Sequence, residues 1–276
     1  MRGRAQAAVV ALVGSLLPLI STSAVGLVGL RKGFAEGALV ALWALLPGIA
    51  GFYLHSVSPA IPLVSIAIVL VTVVAAQVLR LTRAWEWTLV AISLAATVFS
   101  LLGAALFEEV FSQGYQVFVE SWQQAETEGQ QVVPPSFQAL LGIVAFAIAL
   151  QVLLTLMLSR WWQALLYNPG GFGSEMHQLR VSPQVAIALT VVALLASIPS
   201  EDAVGWAVVV LMPLLVAGLA LVHFSVALKG LGAGWLIVLY IALLLLQPLS
   251  TLIFVIVGLV DSFINIRSRL NAPKAP

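Results

Sequence analysis

The chain is predicted to be all-α: a polytopic transmembrane helix bundle of about eight to ten membrane segments, with short or broken helices at both chain ends. Three observations predict this. The 276 residues are 62% hydrophobic and only 8% charged, where a soluble domain carries roughly 45–50% apolar and about 25% charged residues. Mean hydropathy is +1.11, so these side chains need lipid as solvent and cannot all hide in a core of their own. The apolar residues also fall into runs separated by short polar turns, and the basic residues are distributed among those turns unevenly. The length suits one integral membrane domain covering 1–276.

Ten hydrophobic segments run roughly over 5–17, 19–30, 34–54, 60–79, 85–106, 137–158, 184–198, 203–228, 232–246 and 248–263. Those at 60–79, 85–106 and 137–158 match the roughly 20 residues needed to cross hydrocarbon. Residues 5–30 form one run interrupted by Pro18, and 232–263 another interrupted by Gln247-Pro248. As single helices these would be roughly 39 Å and 48 Å long, more than one crossing and less than two. Proline removes a backbone donor and clashes with the preceding turn, so each run is expected to break there.

Charge selects between the topologies. With ten segments and the N-terminus inside, the inner face receives Arg2, Arg4, Arg31, Lys32, Arg80, Arg83, Arg160, Arg180, Lys229, Arg267, Arg269 and Lys274, which are all 12 basic residues. Single crossings at the ends would put both termini outside, against the positive-inside bias. Short end hairpins in a bacterial inner membrane, with both termini cytoplasmic, are therefore expected. A competing reading takes Arg2, Arg4, the first apolar run and Ser21-Thr22-Ser23-Ala24 as a secretory signal with a small-residue cleavage site.

The longest polar stretch, 107–136, carries Glu108, Glu109, Glu120, Glu126 and Glu128 and no base. Phe111, Tyr115, Phe118 and Trp122 recur at helical spacing and share one face. An amphipathic helix on the outer leaflet is expected, its rings at headgroup level or closing over an outward-facing cavity. Val132-Val133-Pro134-Pro135 should stop it.

The Gly/aromatic loop at 160–182 is expected on the cytoplasmic side. Arg160, Trp161, Trp162, Asn168, Gly170, Gly171, Phe172, Glu175, His177 and Arg180 make it a candidate ligand or partner site. Asn168-Pro169-Gly170-Gly171 is strong turn chemistry, and successive N–H groups after glycines can cradle an anion. The stretch lacks the lysine and spacing of a nucleotide-binding loop. Ionisable and polar groups inside a membrane are costly and often functional. The candidates are His223, Gln247 and Asp261, with Glu36, Gln77 and Gln151 as further polar positions. Asp261 precedes Arg267 and Arg269 and suits a helix-end ion pair. His223 suits either a packed, hydrogen-bonded histidine or a proton carrier.

With no cysteine, thiolate chemistry and cysteine metal sites are excluded. His55 and His177 are assigned to opposite faces, so no histidine metal site is expected. Glu108 and Glu109 are adjacent and would point about 100° apart on a helix, a poor acid–base pair. No catalytic residue, cofactor or enzymatic activity is therefore expected. A net charge of +1 gives no reason to expect nucleic acid. Ala7, Ala11 and Ser15 recur every four residues, a pattern that lets helices approach closely in lipid.

Two stretches together resemble the YybS-like family of bacterial polytopic membrane proteins, a family of unknown function. They are Leu30-Arg31-Lys32-Gly33, between a short second segment and a glycine-containing third, and Gly258-Leu259-Val260-Asp261-Ser262-Phe263-Ile264-Asn265-Ile266-Arg267 near the C-terminal end. The turn Asn168-Pro169-Gly170-Gly171-Phe172 fits the same family. That family is distantly similar to the substrate-binding subunits of energy-coupling-factor transporters. The resemblance implies that Ala7 and Ala11 correspond to the small-residue helix which those subunits press against a membrane partner. It carries over no catalytic residues, and the acidic stretch at 107–136 departs from the family's shorter loops.

Two functions are expected. One is a binding or transport subunit for a small solute or amphiphile, with a polar or aromatic cavity open to the outer side beneath Phe111–Trp122. The scarcity of intramembrane charge implies a weakly charged, amphiphilic or lipid-like solute. The other is a non-transporting scaffold that binds envelope or other membrane proteins through the Arg160–Arg180 loop. Lipid is a partner in both.

Overall fold

The computed structural model describes residues 3–14, 17, 19–54, 59–124, 133–197 and 203–270. Helices and their connections account for all of them, with no strand among the described residues. In order they are α1 (Arg4–Val13), α2 (Ile20–Lys32), α3 (Phe34–Leu54), α4 (Ala60–Thr82), α5 (Trp85–Leu106), α6 (Glu108–Gln124), α7 (Phe137–Tyr167), α8 (Gly171–Gln178), α9 (Pro183–Ser197), α10 (Ala203–Leu228), α11 (Gly234–Leu245), α12 (Leu249–Ile264) and α13 (Ile266–Leu270).

Five helices are long and apolar enough to cross a membrane: α3, α4, α5, α7 and the Gly205–Leu228 part of α10. Two bent pairs, α8 with α9 and α11 with α12, raise the number to as many as seven. The chain is therefore a multi-pass membrane protein of the all-helical class. A helix lies in each of the ten apolar segments, but α1, α2 and α11 have only 10, 13 and 12 residues. At 1.5 Å per residue each is at most about 20 Å long, short of the roughly 30 Å of hydrocarbon. In contrast, α7 has 31 residues and runs nine past the expected end at 158. No helix breaker intervenes before Asn168-Pro169-Gly170, so Arg160, Trp161 and Trp162 lie on a continuing helix.

The chain divides into two compact units. The first comprises Met1–Gln163 and Ala196–Val209, the second Ala164–Leu195 and Val210–Pro276.

The first unit is built around α2, in which every residue from Ser21 to Leu30 is buried. Small side chains make this possible. A Cβ on Gly26 would strike Ser159 of α7 and approach Thr72 of α4, while one on Gly29 would press on Ala76 of α4. Gly37 of α3 in turn lies against the backbone of Gly29. Without a hydrophobic force between helices in lipid, such close approach and interhelical hydrogen bonds hold a bundle together. Both occur here. Thr22 and Thr155 share a hydroxyl hydrogen bond at 2.9 Å, Ser23 donates to the Thr155 carbonyl at 3.2 Å, and Ser159 donates to the Ser23 carbonyl at 3.0 Å.

Against this core α1 turns Ala7 and Ala11, its small-residue stripe, into a cluster with Val25, Val28, Val40 and Ala41. The surface that the family resemblance assigns to a membrane partner is thus occupied within the unit. Ser21 donates to the Ala11 carbonyl at 2.6 Å. The guanidinium of Arg4, at the start of α1, pairs with Glu36, four residues after the end of α2. Both contacts require α1 and α2 to run as a hairpin. The buried Ser21-Thr22-Ser23-Ala24 stretch is the middle of this core. Ser15 and Pro18 lie outside the described residues.

In the second unit, α11 and α12 are bent by 120°, so the chain doubles back at Gln247-Pro248 instead of continuing as one kinked helix. No residue of α11 is buried, and Leu244 and Leu245 are among the most exposed apolar side chains. A face this apolar is suited to lipid. α12 docks on α10 through two glycines. A Cβ on Gly218 would overlap the Phe254 carbonyl, and one on Gly258 would overlap that of Leu214.

This crossing predicts that Gly218→Val and Gly258→Val each destabilise the folded protein by about 1–3 kcal/mol. Gly232→Val should change stability by no more than about 0.5 kcal/mol, since nothing lies within 4 Å of a Cβ there. Thermal unfolding of the detergent-solubilised variants measures the difference.

Candidate functional site

Two places gather buried polar side chains among the described residues. The first is a cavity of about 400 Å³ inside the first unit, within the roughly 300–1,000 Å³ of typical ligand pockets. Its walls come from the α1–α2 connection, the C-terminal half of α3, the N-terminal half of α4 and the middle of α7. Local sequence opens this space. Pro47 sits inside α3, where proline deprives the helix of one bond. Gly48 and Gly51 follow on the same helix, where an added Cβ would come into ordinary contact with Ile66, Ser65 and Pro62 of α4. Leu19 enters α2 with φ 70°, a left-handed conformation that leucine rarely adopts.

The polar lining consists of Ser21, Thr22, Ser65 and Gln151. The protons of Ser21 and Ser65 are committed to the carbonyls of Ala11 and Ile61, and Thr22 is engaged with Thr155 and Leu19. The remaining lone pairs of these hydroxyls are acceptors, and the Gln151 amide adds two donors and an acceptor. No ionisable side chain is among the described residues that line it. Such a pocket suits an uncharged molecule with an apolar body and a few hydrogen-bonding groups. Sequence reading singled out Gln151 as polar but missed its partners. The signal available was Pro47-Gly48 in mid-segment, a proline and a small residue inside an otherwise continuous helix.

Phe111 does not cover this cavity. Its ring packs on Gly103 of α5 and lines a second, smaller cavity. Tyr115 stacks edgewise on Phe137 at 5.6 Å and donates to the Pro135 carbonyl at 3.2 Å. Phe118 and Trp122 pair at 5.5 Å. The aromatic face of α6 is therefore turned in part toward protein, while Gln113, Gln116, Glu120 and Gln123 on its other faces are exposed. Glu126 and Glu128 lie outside the described residues.

The second polar place is an ion cluster in the second unit that brings together Asp261, Arg180, His177 and Arg267. The Asp261 side chain is fully buried and paired with Arg267. Its other oxygen accepts from the Ile266 amide at 2.9 Å. Arg267 also donates to the carbonyls of His177 and Leu179, at 2.9 and 2.7 Å. Arg180 donates to the carbonyls of Asp261 and Ser262, at 2.9 and 2.7 Å, capping the end of α12. Burial pushes the Arg267 guanidinium below its ordinary value and Asp261 opposes that shift; the group stays charged because arginine starts far above neutral. The donors that marked Arg180 as a ligand candidate are thus largely spent on backbone, and the cluster fastens α8 to the α12–α13 corner.

The rest of the 160–182 stretch is ordered but dispersed. Arg160 donates to Gln163 at 2.6 Å. Trp161 is exposed and Trp162 half-buried. Asn168 accepts from the Gly171 amide at 3.0 Å, and Gly170 takes the left-handed turn at φ 85°. Gly171, Phe172 and Glu175 lie on α8. His223 shares a 2.9 Å hydrogen bond with Tyr240 of α11. Gln247 is occupied by the Leu243 carbonyl and the Thr251 hydroxyl.

Removing the carboxylate alone leaves two arginines without their counter-charge. Asp261→Ala is expected to cost about 3–5 kcal/mol and Arg180→Ala less, because Arg180 is partly exposed. Hydrogen exchange checks the location of the effect: amides of Gly171–Gln178 should exchange faster in Asp261→Ala, while those of α2 keep their protection.

Set beside family models, curated proteins and solved structures, the chain matches none of them.

Proposed function

We propose that the protein is a membrane-embedded binding subunit for a small neutral amphiphile, of the kind that delivers a solute to a transport partner. It has no catalytic step and needs no cofactor. The observation that carries this reading is the 400 Å³ cavity, whose described lining is polar in part and holds no charged side chain. Moving a charged solute into that space would leave its charge unpaired, a cost that a neutral molecule avoids. The YybS-like resemblance, and through it the likeness to energy-coupling-factor binding subunits, points the same way. Six crossings, by α3, α4, α5, α7, the bent pair α8–α9 and α10, fit this reading, and the short hairpins α1–α2 and α11–α12 are read as entering the bilayer without passing through it.

The proposed orientation is that of a bacterial inner membrane with both termini in the cytoplasm. Support comes from the first unit. Arg4, Arg31, Lys32 and Arg80 gather at the end where α2 meets α3, with Arg80 against Gly33. Glu108, Glu109 and Glu120 stand on α6, after the opposite end of α5. On this reading the cavity lies in the outer half of the membrane. Single cysteines at Gly3, Lys229 and Ala272 should react with an impermeant maleimide only after permeabilisation, and one at Glu120 should react in intact cells. Labelling at Gly3 in intact cells would reverse the hairpin reading.

Binding is tested by mass spectrometry of small molecules released from the purified protein. Gln151→Leu should reduce the retained ligand by about tenfold, the effect of losing a buried pair of hydrogen bonds. Gly48→Leu should fill the cavity and abolish retention. Unchanged retention in both variants would remove this cavity from consideration. A scaffold reading has its own support in the exposed Trp161, Leu165, Leu166 and Tyr167 at the end of α7. Capture of a membrane protein that Leu166→Glu abolishes and Gly48→Leu leaves intact would favour it.

A further inference from the structure

A second cavity of about 220 Å³ lies between α4, α5, α6 and α7 in the first unit. It shares no lining residue with the larger one. Leu63, Val64, Ala67 and Leu70 face it, whereas Ile61, Pro62, Ser65, Ile68 and Val69 face the first. The two cavities thus flank opposite sides of the N-terminal half of α4. The lining is apolar except for Ser100, and Phe107 and Phe111 stand where α6 begins.

Two buried serines of α5, Ser93 and Ser100, have hydroxyls without a hydrogen-bond partner among the described residues, and the one that lines this cavity is Ser100. It is 2% exposed, and its hydroxyl has no hydrogen-bond partner among the described residues. Helical hydroxyls normally escape this state by donating to the carbonyl one turn back. Thr88 and Thr97 on the same helix do so, at 2.8 and 2.9 Å. Ser100 does not, although an unsatisfied hydroxyl in an apolar interior is costly. It sits six residues before the end of α5, about 9 Å along the helix. A wholly apolar cavity of about 150 Å³ accepts a molecule such as benzene, so this one has room for a length of hydrocarbon chain, and its single unpaired group is a donor.

We propose that this cavity binds the hydrocarbon chain of an amphiphile whose ester or hydroxyl oxygen accepts a hydrogen bond from Ser100. The site is independent of the one carrying the proposed function. The same chemistry is offered by a bilayer phospholipid and by a free long-chain alcohol. The full chain is therefore reconstituted in phosphatidylethanolamine–phosphatidylglycerol vesicles carrying one of two photoactivatable probes. One probe is a phospholipid with a diazirine in its acyl chain, the other a diazirine-bearing long-chain alcohol.

After illumination, adducts should concentrate on the 63–70 and 99–111 segments in one or both arms, and the arm that labels identifies the source. Ser100→Ala should lower that labelling about fivefold, the equivalent of one net hydrogen bond. Ala67→Phe, which fills the space, should abolish it. Gln151→Leu should leave it unchanged, which separates this site from the first. Labelling no denser on these segments than on lipid-facing α11 would overturn the proposal, as would labelling that Ser100→Ala does not reduce. The Ser100→Ala result stands even if Ala67→Phe fails to assemble.

Discussion

The first unit depends on one constraint: α2, a helix too short to cross a bilayer, is buried between the still shorter α1 and the longer helices α3, α4 and α7. The 13-residue α2 has no lipid-facing stripe, and in a membrane a large apolar side chain gains nothing by leaving lipid for protein. What holds α2 is therefore close contact and hydrogen bonding. Gly26 and Gly29 let α7 and α4 approach its backbone, and the hydroxyls of Thr22, Ser23, Thr155 and Ser159 bond across the resulting gap. Residues that would be poor helix formers in water are what make this helix packable. The cavity follows from the same fact. α2 begins part-way along the unit, so above its first turn the surrounding helices have no central element to pack on, and Pro47, Gly48 and Gly51 leave that space open.

The second unit is organised by charge. Asp261 is fully buried at the end of α12, and both its arginine neighbours also bond backbone carbonyls. A buried ion pair adds little stability by itself once desolvation is counted. Its effect here is geometric. Arg267 reads the carbonyls of His177 and Leu179, and Arg180 reads those of Asp261 and Ser262. The segment after α8 and the corner after α12 are thereby held in one register. Asp261, Arg180 and Arg267, with the backbone carbonyls of His177 and Leu179, thus act as a fastening.

How much of this was legible in the sequence depended on the range of the signal. Apolar runs located every long helix, because crossing hydrocarbon demands length and hydropathy that show in any window. The breaks at Pro18 and Gln247-Pro248 marked the end hairpins for a local reason, the missing proline donor. The end of α7 was misplaced because hydropathy stops at Arg160 while helix propensity does not. The core role of α2 was hidden. Ser21-Thr22-Ser23-Ala24 reads equally well as a cleavage site, and only the hydroxyls of Thr155 and Ser159, more than 130 positions away, give it another meaning. Asp261 was foreseen as a helix-end ion pair, but its link to the 160–182 stretch required knowing that α8 folds back against α13. For α6 the aromatic face was correct, yet its direction was not set by the wheel: a ring at headgroup level and a ring over Gly103 have the same periodicity.

The polar residues of the membrane interior sort into two classes, and the distinction bears on what the protein can bind. Most hydroxyls have donated their proton to a carbonyl and stand in the cavity walls as acceptors, as Ser21 and Ser65 do. An acceptor with a spare lone pair is only partly unsatisfied, because its donor capacity has been met. The hydroxyls of the first cavity therefore carry little cost without a ligand, and with the Gln151 amide they offer a ligand both acceptors and donors. Ser100 is the converse, a hydroxyl with no acceptor for its proton among the described residues, in a cavity where every other described lining side chain is apolar. There, bound oxygen relieves a cost that the protein otherwise carries, and the apolar walls restrict that oxygen to a molecule with a hydrocarbon body. Two cavities on opposite faces of one half-helix thus differ in their polar endowment: several acceptors and the Gln151 amide in the first, a single serine hydroxyl on apolar walls in the second.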